Sequence, residues 1–518
     1  MTRRAGKPIK NVVIVGGGTA GWMTAAALSR LTKAGVSITL VESEEIGTVG
    51  VGEATIPPLL DYNLALGIDQ IEFIRATQAT FKLGIEFVNW ARQGDRYLHP
   101  FGVYGRDAHG VKFHEIWLRD RQTEGTEIGP DEIGDYCLSV VAARNDRFTW
   151  PTSNPGAVLS TLRYAFHFDA GLYARFLRRY AEDRGVARVE GRIERVEQDP
   201  ESGYITAVRL NDGRVVEGEF FVDCSGFRSL LLGDTLGVAY QSWQHWLPCD
   251  RAIAIPCAGT LNPTPYTRAT AGSAGWRWRI PLQHRIGNGH VFSSAHIDES
   301  RALDELLQGL DGAAIAEPRT LRFVAGRRER MWEKNCVAIG LSSGFIEPLE
   351  STSIHLIQSG VFKLMGLFPD SGFDQAEIDQ YNRFLVEEYE RIRDFIILHY
   401  WATERDDSDF WNHCRNMEIP DTLAQKIELW MGKARLFRAS SDLFTEDSWI
   451  AVLLGQRKLP ESYDPLVGAF SVEESRRFLA SIRDVIGKTA LAMPTHQQFI
   501  DRHCRADPVE LPVVGAVA

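Results

Sequence analysis

The chain has 518 residues, 44% of them hydrophobic, enough to bury one large core or two to three domains and too apolar for a disordered polymer. Its 57 lysines and arginines stand against 68 acidic residues, a net charge of -11, so no overall field would hold nucleic acid or an anionic membrane, and a small-molecule partner is the default. Seven scattered cysteines without CxxC spacing point to a reducing, cytoplasmic compartment and no structural metal, with His413-Cys414 and His503-Cys504 read as incidental pairs.

In chain order, Arg3, Arg4, Lys7 and Lys10 precede an apolar stretch and imitate the start of a secretory signal. The run over residues 12–15 nevertheless stops at Gly16, as a buried strand entering a turn does, and no apolar run of membrane-spanning length occurs. Residues 11–42 read as strand (NVVIV), glycine turn (GGGTAG), helix (WMTAAALSRLTKAG) and strand (VSITLVE). Gly16, Gly17, Gly18, Thr19, Ala20 and Gly21 then form a turn whose backbone can approach a pyrophosphate at a helix N-terminus, where the partial positive charge favours an anion. Glu42 ends the second strand a little over twenty residues later, placed to accept hydrogen bonds from a ribose. The unit predicts one bound dinucleotide. No second such unit follows, so no separate NAD(P)H site is expected.

A glycine-rich strap, Gly50-Val51-Gly52-Glu53-Ala54-Thr55-Ile56-Pro57, comes next. The middle of the chain alternates in strand fashion (GRIERVEQ, TAVRLNDGRVVEGEFFVDCSG, GNGHVFSS), with Asn211-Asp212-Gly213 as a hairpin turn. From about Ser359 the spacing becomes helical in SGVFKLMGLF, QAEIDQYNRFLVEEYERIRDFIILHYWATE, DTLAQKIELWMGKARLF and VEESRRFLASIRDVIGKTAL. His167 and Asp169, in HFDA, suggest a charge-relay pair, but i and i+2 residues of a helix seldom face each other, and they are read as structural.

VGGGTAGWM, GVGEATIP, Trp276-Arg277-Trp278-Arg279-Ile280-Pro281 and Glu347-Pro348-Leu349-Glu350-Ser351-Thr352 together resemble the flavin-dependent tryptophan halogenases. HFDA, FVDCSG, VFSS and RDDxxFW extend the resemblance from about residue 9 to about residue 460. It implies an α/β fold: an FAD-binding Rossmann-like module of the aromatic-hydroxylase type over 9–358, with a substrate-side insertion at about 60–165, and a mostly helical substrate layer over 359–510. It also implies FAD, delivered as FADH2 by a separate NAD(P)H-dependent flavin reductase, which with O2 and a halide ion yields hypohalous acid for an aromatic, indole-type substrate.

Carried over position by position, the resemblance assigns Gly17 to Ala20, Ser43, Ile46, Ala54, Ile193, Leu341 and Ile354 to the flavin. Lys82 matches the family's catalytic lysine; in an apolar segment it would be partly desolvated and offer an ammonium donor or an amine to the oxidant. Its competing reading is a snorkelling lysine on an amphipathic helix. Glu350 matches the catalytic glutamate, able to polarise the oxidant or take the ring proton. Glu347, a helical turn away, differs from it in not directly preceding Ser351. Thr352 and Ser353 fall where the family offers two backbone N–H groups to the halide. Serine at 353, where Thr-Gly is usual, disfavours positive φ and implies a reshaped halide pocket, with bromination at least as efficient as chlorination. Trp276, Trp278, Ile280, Pro281 and Ser351 would line the wall and passage between flavin and substrate. His99 and Phe101 match the ring-stacking pair, and Trp449 would face the ring.

The Tyr-Tyr pair and glutamate that hold the amino-acid end of tryptophan are absent from LFRASSDLFTEDSWIAVLLGQRKLP, with Glu446 an unaligned candidate anchor. Free tryptophan is therefore not the expected substrate. An FAD-dependent aromatic hydroxylase and a non-halogenating protein that binds reduced flavin are the alternatives.

Overall fold

The computed structural model describes residues 6–45, 52–125, 127–259, 262–439 and 441–509. The strand Asn11–Val15 pairs in parallel with Ser37–Glu42 on one side and Phe220–Asp223 on the other, with the helix Thr19–Leu28 crossing between the first two. The β-branched residues 12–15 are buried on both faces, as a parallel strand covered on both sides requires. Ala187–Glu190, Cys336–Ala338 and Trp332–Glu333 complete a six-stranded sheet, of which only the Trp332–Glu333 edge runs antiparallel. Gly16 shows why the turn is glycine: its φ is +113°, and a Cβ there would lie 2.2 Å from the carbonyl oxygen of Cys224.

The expected hairpin forms around Asn211-Asp212-Gly213, joining Ile205–Leu210 to Val215–Glu217 in a small antiparallel sheet with Ile193–Gln198. A second large sheet has seven strands, and within it Gly84–Val88 and Arg96–Pro100 pair with Ile85 opposite His99. A further sheet, of three strands, pairs Gly52–Ala54 and Thr80–Lys82 on either side of Ala165–Asp169. The chain passes from Lys82 in this sheet to Gly84 in the seven-stranded one within two residues. Only glycine allows the step, because a Cβ at Gly84 would stand 2.4 Å from the His99 carbonyl oxygen.

The helical third forms as its periodicity predicts, with helices over Gln375–Trp401, Asp421–Lys433 and Val472–Ala492. The layer begins earlier than expected: Ser353–Gly366 is one helix, so a boundary at 358 falls inside it. Its buried residues join the same apolar core as the six-stranded sheet. Among the described residues no helix is long and apolar enough to cross a membrane.

His167 and Asp169 lie on a strand, where i and i+2 share a face, so the helical argument against them does not apply. Their structural reading rests instead on their partners. His167 bonds the hydroxyls of Thr80 (3.0 Å) and Thr267 (2.9 Å), while Asp169 accepts from Arg285 (2.7 Å) and caps the helix Ala170–Glu182.

Candidate active site

At the glycine turn, no side chain among the described residues caps the helix Thr19–Leu28, and a Cβ added at Gly18 would meet none of their atoms within 4 Å. Open space before an uncapped helix N-terminus fits a pyrophosphate. Ser43 follows the second strand, and the N–H of Gly191 bonds the Glu42 carbonyl at 2.8 Å, bringing the start of the Ile193–Gln198 strand to the same end of the sheet. Leu341 sits in a turn over Gly340–Ser342 that packs against Ala20. Ala54 and Ile354 are buried. Ile46 and the Gly50-Val51 end of the strap lie outside the described residues. Glu42 is less free than expected: its carboxylate accepts from the Arg188 guanidinium and, at 3.4 Å, from the Trp22 indole.

Lys82 belongs to the strand Thr80–Lys82, not to a helix, and is fully buried, so the snorkelling reading is overturned. Its ammonium donates to the Thr55 carbonyl at 3.0 Å and the Ser351 hydroxyl at 2.8 Å and lies 5.1 Å from the centre of the Phe101 ring. The strap, the lysine strand and the EPLEST segment thus meet at one nitrogen. Burial lowers its pKa to about 7, although the nearby Glu350 charge works the other way.

Glu350, also fully buried, faces two imidazoles. Nδ1 of His99 lies 2.9 Å from both carboxylate oxygens, and Nε2 of His399 lies 2.8 Å from Oε1. Burial alone would raise the carboxyl, but the charge of His99 and hydrogen bonds from both histidines hold it down to about 2. The other nitrogen of His399 meets the Phe395 carbonyl at 2.8 Å, which only an N–H can satisfy. His399 thus bridges the Phe395 carbonyl and the Glu350 carboxylate.

The residue with positive φ is Ser351 (+59°), a conformation uncommon for serine, while Ser353 opens the Ser353–Gly366 helix. The expectation that serine at 353 is strained is therefore overturned, and the halide preference drawn from it loses its basis. Among the described residues no side chain caps this helix, and the buried Thr352 hydroxyl has no hydrogen-bond partner. Uncapped N–H groups beside an unpaired hydroxyl suit a small anion.

His99 is a strand residue bound to Glu350, so loop packing is excluded and any ring it stacks lies directly beside that carboxylate. Further out, Phe395 and Phe444 stack at 3.9 Å, with Trp449 edge-on to Phe395 at 5.1 Å and His99 5.7 Å from it. The small cavity beside Phe444 and Trp449, about 10 Å³, is also lined by Lys426, Asp442 and Glu446 and has room for about one water. Lys426 pairs with Asp442 at 3.0 Å and Glu446 with Lys112 at 2.9 Å. Trp276 and Trp278 are buried 6.1 Å apart, and the Pro281 carbonyl accepts from Thr80 at 2.6 Å, tying the WRWRIP strand to the lysine strand.

The family model described as tryptophan halogenase matches residues 11–472. The chain belongs to the tryptophan halogenase family. Its relatives include tryptophan 6-halogenase SttH of Streptomyces toxytricini, 36% identical over 94% of this chain and 97% of that protein. Among solved structures, the flavin-dependent halogenase Xcc4156 of Xanthomonas campestris is 48% identical with a TM-score of 0.93, covering 97% of this chain and all of that one. BrvH, a flavin-dependent halogenase from Brevundimonas sp. BAL3, is 47% identical with a TM-score of 0.91, covering 95% and 99%. The enzyme is thus a flavin-dependent halogenase with a mixed α/β fold and a helical C-terminal region.

Within this halogenase, sequence reasoning missed His399. It sits near the end of the apolar run FIILHYW, one helical turn after Phe395, just before the RDDxxFW segment that did carry the resemblance. Phe395 and Phe444 were missed too, because apolar rings on amphipathic segments read as ordinary core.

Proposed function

We propose that the enzyme halogenates an electron-rich aromatic ring of the indole type, with Lys82 activating the oxidant and Glu350 taking the proton the ring loses. The bound flavin, reduced by a separate reductase, supplies with O2 and bromide or chloride the hypohalous acid that the reaction consumes. The observation that carries the reading is the meeting of three chain segments at the Lys82 ammonium, with Ser351 at 2.8 Å and the ionised Glu350 one residue before it.

In this reading the glycine turn would hold the pyrophosphate, and Ser43, Ile46, Ala54, Ile193, Leu341 and Ile354 would hold the rest of the FAD. The N–H groups of Thr352 and Ser353 hold the halide, and the WRWRIP wall keeps the organic substrate from the flavin. The half-deprotonated lysine donates a hydrogen bond to the oxidant's oxygen or captures the halogen on its amine; either makes the halogen more electrophilic. Glu350, held anionic by His99 and His399, accepts the ring proton as aromaticity returns.

Indole is preferred to free tryptophan because Lys426 and Glu446, which line the small cavity beside Phe444 and Trp449, are already paired with Asp442 and Lys112. A zwitterion would have to break the Lys426–Asp442 or Lys112–Glu446 pair, or leave its own charges unmatched. The test is purified protein with FAD, an unrelated flavin reductase, NADH, indole and bromide or chloride, read by mass spectrometry for the halogen isotope pattern. Hydroxylated product would favour the hydroxylase alternative. Flavin oxidation without halide-dependent product would favour a flavin-binding protein.

A further inference from the structure

Two glutamates flank the turn Pro348–Glu350, and their surroundings are opposite. Glu350 is surrounded by donors. Glu347 is 1% exposed, and neither of its oxygens has a hydrogen-bond partner among the described residues. Facing it are the Tyr400 hydroxyl, the Trp276 indole N–H and the Cys249 thiol. The Trp276 N–H is itself unpartnered, and the Tyr400 hydroxyl is bonded to Cys249 at 3.5 Å. Cys414, from the neighbouring helix Asp409–Asn416, also feels its charge. Burial pushes the Tyr400 phenol and the Cys249 and Cys414 thiols up, so each is neutral near pH 7, and none of the groups shifting Glu347 is a cation. Three neutral donors face the carboxyl, but none makes a hydrogen bond to it among the described residues and no counter-charge is beside it; a carboxylate in such a place is costly, and the group keeps its proton instead. Its pKa is accordingly raised by burial to about 7.

The halogenation proposed above needs such a proton. One ring C–H, one halide ion, one O2, the two hydrogens of the reduced flavin and one further proton give the aryl halide, oxidised flavin and two waters. One proton is therefore taken up with each halide, into a site closed to bulk water. Glu347 is placed for this: it lies against the WRWRIP wall through Trp276, on the turn that leads into Thr352 and Ser353.

Resting on the halogenase reading, we propose that Glu347 carries the proton taken up with each halide, which ends in one of the two product waters, and that Glu350 stays anionic for the ring proton. The two carboxyls divide donor and acceptor between them, and each meets one of two adjacent residues of the Gln375–Trp401 helix: Glu347 meets Tyr400 and Glu350 meets His399.

The first test uses the protein without flavin or substrate. Infrared difference spectra between pH 5.5 and 8.5 should show a protonated-carboxyl band that is lost through neutrality, shifted in Glu347→Asp and missing in Glu347→Gln. Comparison of variants is needed because burial also raises Glu53 and Glu115 to about 7. The second test follows product per flavin oxidised from pH 6 to 9. Wild type should lose coupling as pH rises through about 7, whereas Glu347→Gln should be about tenfold lower at pH 7 and flat across that range, with Glu347→Asp restoring part of the slope. No Glu347-dependent band, or a Glu347→Gln variant with wild-type rate and pH profile, overturns the proposal. If Glu347→Gln does not fold, the band shift in Glu347→Asp decides. A wild type that forms no halogenated product at all overturns the halogenase reading instead.

Discussion

The ammonium of Lys82 lies 2.8 Å from the hydroxyl of Ser351, although 269 positions separate the two residues in the chain. The contact joins a strand that continues into the seven-stranded sheet to the turn that precedes the Ser353–Gly366 helix, and it places the lysine beside Glu350 without a direct ion pair.

Lys82→Ala should reduce halogenation to background while flavin still binds, because the lysine acts on the oxidant and not on the glycine turn. Product by mass spectrometry and FAD affinity by fluorescence quenching measure the two effects. A near wild-type rate in the variant would remove Lys82 from the chemistry.

Lys82 also makes a stability prediction with a definite sign. Its folded pKa of about 7 lies below the ordinary 10.5, so the unfolded chain binds more protons between those values and stability rises with pH there. The full cost of burying the charge is present below pH 7. Lys82→Met should therefore be more stable than wild type at pH 6, by about 1–3 kcal/mol after the lost hydrogen bonds are counted, and the gain should shrink as pH rises toward 10. Urea unfolding at pH 6 and 9 checks this; a gain that grows with pH contradicts it.

Glu350→Gln should slow turnover by about 100-fold or more at every pH, since an amide cannot take the ring proton. Glu347→Gln should cost less and change the pH profile. Reversal of that order would exchange the roles of the two carboxyls.

His399→Phe removes the imidazole that helps hold the Glu350 pKa down and should destabilise the fold by about 3 kcal/mol, as expected for a broken buried pair. Glu350 has a depressed folded pKa, so its stabilising contribution is present above its unfolded value near 4.5 and lost as pH falls toward about 2. The difference between wild type and His399→Phe in urea midpoint should therefore shrink between pH 5 and pH 2. A constant difference would assign His399 to packing alone.

Ser353→Gly should leave the bromide-to-chloride ratio unchanged in an equal-concentration competition, because Ser353 is helical and makes no demand for positive φ. Its expected effect is a loss of up to about 1 kcal/mol from glycine in a helix. A shift in halide preference would restore the reshaped-pocket argument.

For substrate choice, kcat/KM for indole should exceed that for L-tryptophan under the same reductase and halide supply. Tryptophan favoured over indole would mean that Lys426 or Glu446 leaves its partner to hold the amino acid.

The sequence alone determined the βαβ unit, the glycine turn, the hairpin at Asn211-Asp212-Gly213, the long C-terminal helices and the family. Each depends on periodicity or turn chemistry among near neighbours, which survives being read one residue at a time. Tertiary structure decided the chemistry. Lys82 reads as either a desolvated catalytic lysine or a snorkelling helical one until pairing with Ala165–Asp169 makes it a buried strand residue, and Ser353 reads as disfavouring a positive φ until the helix start is located. Spacing cannot separate Glu347 from Glu350. They differ because His99, 251 positions away, and His399, 49 positions away, hydrogen-bond one of them, while the other faces only the neutral Trp276, Tyr400 and Cys249. Protonation follows burial and the charges nearby in space, and only the folded chain brings those together.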